Sequence, residues 1–389
     1  MQGKLVKLLL LMWIALVYQH LAVSQTYTVI YRFSQPSLHG NHPNAGLIQD
    51  AAGNLYGTTN TGGPAKLGTV FKLDTSGNET VLHSFLGGSD GAHPIARLAM
   101  DGAGNLYGTT RYGGVANVGI VFKIDPSGTE TILHSFEGGA DGAQPFAGVF
   151  RDAAGNLYGT TCFGGVSGKG TTFKLDANGN QIFVHSFSGG VNGSSGASPI
   201  ADLNQDASGI LYSTTRLGGF REGTIYSTSL DGMSGSILFS FPFGSVADGQ
   251  QPWAGVIPDN AGNLYGTTRK GGSSMMGTIF KFNLHGGGYS VLHSFGGADG
   301  AFPRGSLVRD ASGNVYGTTA KGGGGTCNCG VVFKLDPSGV ETVLHAFTGG
   351  SDGDQPLAGL VMDAMGNLFG TTSGGGISAN GTIFKITLH

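Results

Sequence analysis

Arginines and aromatic residues recur together in one set of loops of this chain. They stand in "RYGGVANVG" (Arg111–Gly119), "CFGGVSGKG" (Cys162–Gly170), "RLGGFREG" (Arg216–Gly223) and "RKGGSSMMG" (Arg269–Gly277). Arg111, Tyr112, Phe163, Arg216, Phe220, Arg221, Arg269 and Lys270 therefore collect wherever these loops meet. A planar guanidinium offers paired hydrogen bonds to a carboxylate, and an aromatic face stacks on a sugar ring. That chemistry suits a glycan or another anionic polymer, uronic acids above all. The same residues would also serve as a plain solvated rim.

Three further constellations could carry chemistry. Asp90, Asp141, Asp248, Asp299 and Asp352 recur before a glycine in "DGxxP", with His39 and Ser195 in their place elsewhere. A carboxylate ring at a channel mouth would suit Ca²⁺, which takes oxygen ligands; single turn-capping aspartates need no ion. His83, His134, His185, His293 and His345 recur in another segment, where Tyr31 and Phe239 replace them. That exchange asks for a flat ring rather than an ionisable one. Finally, Arg97, Asp202 and Ser306 replace the glycine of a recurrent "AGL". A reaction centre is singular, so departures from a repeat are where catalysis or a ligand pocket would sit. No nucleophile elbow, phosphate loop or zinc signature is present in the sequence.

These residues are carried by a repeat. "GNLYGTT" begins at Gly53 and returns, with small changes, at Gly104, Gly155, Gly209, Gly262, Gly313 and Gly366. Each unit contains four short segments rich in β-branched and aromatic residues, separated by Asp, Asn, Ser and Gly. In the second unit they are Pro94–Asp101, Asn105–Arg111, Gly119–Asp125 and Glu130–Phe136. Helical periodicity is absent after the leader. Four antiparallel strands repeated about every 50 residues predict an all-β fold, a single seven-bladed β-propeller over residues 25–389. The chain opens with "TYTVIYRF" (Thr26–Phe33), a fourth strand, and closes on "GTIFKITLH" (Gly381–His389), a third strand. The first strand should thus complete a last blade made of Pro356–Asp363, Asn367–Ser373 and Gly381–Leu388, and lock the ring. In "NLYGTT" the glycine should make room for an aromatic ring, and the motif reads as packing rather than chemistry.

Composition narrows the partners. The net charge is −3, from 21 basic and 24 acidic residues, which argues against nucleic acid. Lys4 and Lys7, the apolar Leu8–Tyr18 and the small residues Ala22–Ser24 read as a signal peptide over residues 1–24. No later stretch is apolar enough to span a bilayer. Three cysteines are too few for a disulfide framework; Cys327 and Cys329 either close a small ring or remain thiols, with no ligands at metal spacing beside them.

The run "NLYGTT…GG…GTVFKLD…GNETVLHSF…GG.DGA.P" resembles the GloVer tandem repeat of the choice-of-anchor surface proteins of bacteria, over Tyr27–His389. The resemblance implies an exported protein and brings no catalytic residues with it. The chain ends within a strand rather than in an anchoring tail, which points to a monomeric secreted or periplasmic product. The expected function is a non-enzymatic binding or interaction scaffold without a cofactor, its partner a glycan, an anionic polymer or a protein. The alternative is a polysaccharide hydrolase or lyase with its site in the central channel. Candidate ligand-binding residues are Arg111, Tyr112, Phe163, Arg216, Phe220 and Arg269 on the rim, and Arg97 and Asp202 in the channel.

Overall fold

The computed structural model describes residues 25–34, 37–190, 192, 195–231, 235–245 and 247–388. The leader expected over residues 1–24 lies outside them. Seven antiparallel sheets of four principal strands form the blades of a propeller. In blade 1 the strands are Ile48–Gln49, Leu55–Thr59, Thr69–Leu73 and Glu79–Ser84. Blade 7 comprises Val361–Met362, Leu368–Thr372, Thr382–Thr387 and, from the other end of the chain, Thr26–Arg32. There Thr26 pairs with Thr387 and Arg32 with Thr382, so the ring closes by main-chain hydrogen bonds between the two termini.

One expectation is corrected. The first strand of each blade, read from sequence as about eight residues, is a ladder of two, such as Ala99–Met100 in blade 2. The preceding Pro-x-Ala run lines the channel instead. Proline lacks the N–H that a ladder needs, and the residues after it lie beside the next blade's equivalent run at backbone distance. A Cβ on Gly148 would come within 2.2 Å of the Arg97 carbonyl oxygen.

Aromatic pairs join the blades. The phenylalanine that ends each outermost strand meets the aromatic of the next blade's third strand. The pairs are Phe85–Phe122, Phe136–Phe173, Phe187–Tyr226, Phe241–Phe280, Phe295–Phe333, Phe347–Phe384 and, across the closure, Phe33–Phe71, with ring centroids 5.2–5.6 Å apart and edge to face. Such pairs add about 0.5–1.5 kcal/mol each beyond the area they bury. The glycine of "YGTT" makes the geometry feasible. A Cβ on Gly57 would stand 2.7 Å from Cζ of Phe71, closer than carbon atoms approach.

The rest of the motif is also structural. The Tyr56 hydroxyl donates to the Asp50 carboxylate (3.0 Å), which also accepts from the Asn54 side chain (2.7 Å) and holds the hairpin between the first two strands. Five further blades repeat this tyrosine–aspartate bond; Phe369 stands at its position in blade 7. The first threonine of the pair reaches the next blade. Thr58, Thr109, Thr214, Thr318 and Thr371 donate to Ala96, Ala147, Ala254, Ala358 and Ala45 carbonyls at 2.8–3.3 Å.

The recurrent histidines and aspartates meet on the outermost strands, not at the channel. His83 Nε2 lies 3.0 Å from Asp90, His134 3.1 Å from Asp141, His293 2.8 Å from Asp299 and His345 3.3 Å from Asp352. The same carboxylates cap the turn that leaves the strand, as Asp141 accepts the Glu137 N–H at 2.8 Å. None of them lines the channel; of the two readings the turn-capping aspartate is the one the structure forms. The histidine rings do pack as flat rings, His83 edge-on to Phe85 at 4.8 Å, but each of these four also engages an acid. Two interfaces add a carboxylate from the next blade, Glu130 beside His83 and Asp90, and Glu341 beside His293 and Asp299. Burial, and then Asp90, pushes the Glu130 carboxyl up to about 9. Burial, and then Asp299, pushes Glu341 up to about 7.

Two outcomes are expected from this architecture. Deleting residues 25–33 leaves the strand at Thr382–Thr387 unpaired and exposes a sheet edge; the truncated chain should aggregate and lose its cooperative melt, and an unchanged melting curve would show that closure contributes nothing. The second concerns pH. A carboxyl whose folded pKa is raised stabilises fully below its unfolded value near 4.5 and loses that stabilisation as pH rises through the folded value. The turn aspartates, held low by their hydrogen bonds, act only at acid pH. His185 and His345, which desolvation holds below 6.5, act the opposite way up to about neutrality. With a chelator present, the melting temperature should therefore fall between pH 7 and 9, and Glu130→Gln should flatten that slope. An equal slope in the variant would refute the assignment.

Candidate functional site

The two sets of long loops share one face of the ring. In every blade the segment entering from the previous blade pairs with the loop between the second and third strands. Examples are Gly40 with Gly62, Ala92 with Tyr112, Ala143 with Phe163 and Gln250 with Lys270. This pairing aims two positions per blade at the mouth of the channel. One follows the Thr-Thr pair: Asn60, Arg111, Cys162, Arg216, Arg269, Ala320 and Ser373. The other follows the conserved-position proline of each unit: Asn44, Ile95, Phe146, Ile200, Trp253, Arg304 and Leu357. The second set lines a cavity of about 520 Å³ along the axis, together with Arg97, Asp202 and Ser306.

Trp253 organises one side of this mouth. The guanidinium of Arg304 stands 4.6 Å from its ring, Arg269 5.4 Å and Arg216 5.5 Å. Arg269 also lies 5.6 Å from Phe302. Two blades round from Arg216, Arg111 stands 4.5 Å from Phe146 and 4.9 Å from Tyr112, its Nε 3.4 Å from the Gln144 amide oxygen. Among the described residues, no carboxylate forms an ion pair with any of these four arginines. The aromatic faces supply the attraction that holds like charges close. Burial, and then Arg216, lowers the Arg269 pKa; burial, and then Arg269, lowers that of Arg304. Lowered values mean that the charged forms are under-compensated. The buried Nε of Arg269, Nε of Arg304 and Nε1 of Trp253 have no hydrogen-bond partner, which leaves the hydrogen-bonding capacity of all three unmet.

The arginines form an arc rather than a ring, and Ala320, Ser373 and Asn60 complete the circle without charge. Cys162, between Arg111 and Arg216 in the arc, is buried and its thiol is pushed up by that burial, which leaves it unreactive. Of the residues expected from sequence, Arg216 and Arg269 share Trp253, while Arg111 contacts both Tyr112 and Phe146. Phe163 and Phe220 are exposed outside these contacts, at 46% and 45%; Arg221 instead stands over Phe243 at 5.4 Å. Arg97 is exposed in the channel. Asp202 lines it too, but its Oδ1 accepts the Gly148 N–H at 2.8 Å, and no ion pair joins it to Arg97 among the described residues. Trp253, Arg304 and Phe146 were missed. Their signal was present, since the residue after the proline is the most varied position in an otherwise regular segment.

Cys327 and Cys329 are joined as a disulfide, which resolves the two readings their spacing allowed. No helix among the described residues is long and apolar enough to cross a membrane.

The comparisons agree with this architecture. The extracellular domain of a protein named as a hybrid two-component system of B. thetaiotaomicron is similar at 10% identity, with a TM-score of 0.59, over 92% of this chain and 40% of that one. The chain thus spans less than half the length of that relative. A protein named as a 6-phosphogluconolactonase of Bacteroides uniformis is similar at 16% identity and a TM-score of 0.53, over 81% of this chain and 90% of that one. At these identities the likeness is one of fold. None of the curated proteins matches. The model of the Gloeobacter/Verrucomicrobia repeat matches residues 15–222 and 198–389, every blade included, and the chain belongs to that repeat family.

Proposed function

We propose that this propeller is an exported, non-enzymatic binding module that takes a carboxylate- or sulfate-bearing glycan at the mouth of its channel. One observation carries the reading: three guanidiniums surround one indole, and buried N–H groups of Arg269, Arg304 and Trp253 have no partner. An acidic sugar supplies what the site lacks. Its carboxylate accepts from the guanidiniums, and its ring covers the indole face. The overall charge of −3 disfavours nucleic acid, because a local arc of four arginines on an otherwise balanced surface does not track a phosphate backbone. Export rests on the leader read in residues 1–24, and it accords with extracellular domains among similar folds.

The second reading is a polysaccharide hydrolase or lyase. Asp202 favours it, as a singular acid in the channel. Glycosidic cleavage ordinarily uses two carboxyl groups about 5–9.5 Å apart, and Asp202 is the one carboxylate among the described residues that line the channel.

Calorimetry with uronate oligosaccharides tests the first reading. Trp253→Ala and Arg304→Ala should each weaken binding by roughly 1–3 kcal/mol, as interface anchors do. Phe220→Ala, outside the cluster, should leave it unchanged. Binding should also weaken as salt is raised. Binding that survives both cluster variants, but fails when the short hairpins of the opposite face are altered, would put the ligand on the wrong side for this reading. Incubation with a polysaccharide panel tests the second: products released by the wild type and abolished by Asp202→Ala would replace the binding module with an enzyme.

A further inference from the structure

We propose that the clusters His83–Asp90–Glu130 and His293–Asp299–Glu341 are two equivalent sites for a divalent first-row transition ion such as Zn²⁺, each clamping two neighbouring blades. The inference is independent of the glycan reading, since both clusters lie on the outermost strands.

Geometry is the first argument. In each cluster one imidazole nitrogen and two carboxylate oxygens lie within 4.8 Å of one another. His83 Nε2 is 3.0 Å from Asp90 Oδ1 and 3.8 Å from Glu130 Oε2. His293 Nε2 is 2.8 Å from Asp299 Oδ2. Ligand atoms around a tetrahedral zinc stand about 3.3 Å apart when the bonds are about 2.0–2.1 Å, so small side-chain adjustments suffice. An imidazole with two carboxylates suits zinc or its neighbours, whereas Ca²⁺ prefers six or more oxygens.

The second argument is an unmet need. Oε1 of Glu130 and Oε1 of Glu341 are buried and have no hydrogen-bond partner. Each glutamate stands beside a second carboxylate already committed to a turn: Asp90 accepts the Leu86 N–H, and Asp299 accepts the Gly296 N–H at 2.8 Å. A cation between the acids satisfies both. The side chains of His83, Asp90 and Glu130 remain 16%, 21% and 11% exposed, which leaves an entry path and room for a water ligand.

Three of the other interfaces supply internal controls. At the equivalent position between blades 2 and 3 stands Gln181, whose amide donates to Asp141 at 2.6 Å. Between blades 6 and 7 stands Tyr27, stacked on His345 at 3.6 Å. Between blades 4 and 5 stands Tyr289, stacked on Phe239 at 4.3 Å. These groups fill the gap with a hydrogen bond or a ring, and the third carboxylate ligand is missing there.

The experiment uses the untagged chain, stripped with a chelator, dialysed against excess Zn²⁺ near neutral pH, and assayed for bound metal after removal of the excess. Two zinc ions per chain are expected, one for Glu130→Gln, one for Glu341→Gln and none for the double variant. Glutamine already occupies this position at Gln181, so the variants should fold, and a cooperative melt verifies that they do. Zinc should raise the melting temperature of the wild type and not that of the double variant. Co²⁺ should give visible bands in the wild type and none in the double variant. No uptake by the wild type, or uptake undiminished in the double variant, overturns the proposal and leaves these carboxyls as proton-sharing pairs.

Discussion

The contact between one blade's last phenylalanine and the next blade's third strand is what the rest of the structure depends on. It occurs at all seven interfaces, including the one that joins the two ends of the chain. A blade has two faces and no layer of its own to cover either, so each must present surfaces complementary to its neighbours. That requirement propagates back to the sequence. The glycine of "YGTT" is small because the ring of Phe71 lies against it. The threonine that follows is a hydroxyl amino acid because it reaches the neighbouring carbonyl. The aspartate at the hairpin anchors the tyrosine that flanks them both. A residue repeated around a ring answers first to the ring.

Chemistry is therefore found where repetition lapses. Trp253 and Arg304 occupy a position that in other blades is Asn, Ile, Phe or Leu, because side chains there point into the channel and touch no neighbouring blade's core. Freed from the packing constraint, this position and the one after Thr-Thr hold a basic arc on one side of the mouth only. The departures in the first strand are different in kind. Asp202 bonds the Gly148 N–H of the adjacent blade, so it serves the channel wall as well as facing the cavity. Thr160 and Thr267, whose hydroxyls find no partner, each face a blade in which that first strand is altered, by Asp202 and by Arg304 and Ser306. The regular inter-blade bond is lost at those two blades and kept beside Arg97, where Thr58 still reaches the Ala96 carbonyl.

The outer interfaces show how a repeat hides a constellation. His83 and Asp90 are seven residues apart and could be seen as a pair. Glu130 comes from the next blade, and in its own unit it is merely the polar start of a fourth strand. Read along the chain, histidine exchanged with Tyr31 and Phe239 looks like a demand for a ring, and the rings do pack against phenylalanine. Read across the interface, the same position meets Glu, Gln, Tyr or nothing, and only Glu130 and Glu341 make an acid pair beside an imidazole, since Glu79 meets Tyr31 and His39 instead.

By itself the sequence determined the number of blades, their strand order and the closure by the N-terminal strand, because alternation and turn chemistry are local and were written seven times. It also determined that "YGTT" packs, since a requirement met at every blade is one of architecture. It overstated the innermost strands, where Pro94 and its equivalents have no N–H to continue a ladder. Which arginines share an indole, and that Glu130 completes a cluster begun by His83, was decided only by the tertiary structure. Those contacts join residues of different units, and their partners are set by the rotation from one blade to the next, a quantity that no single repeat encodes.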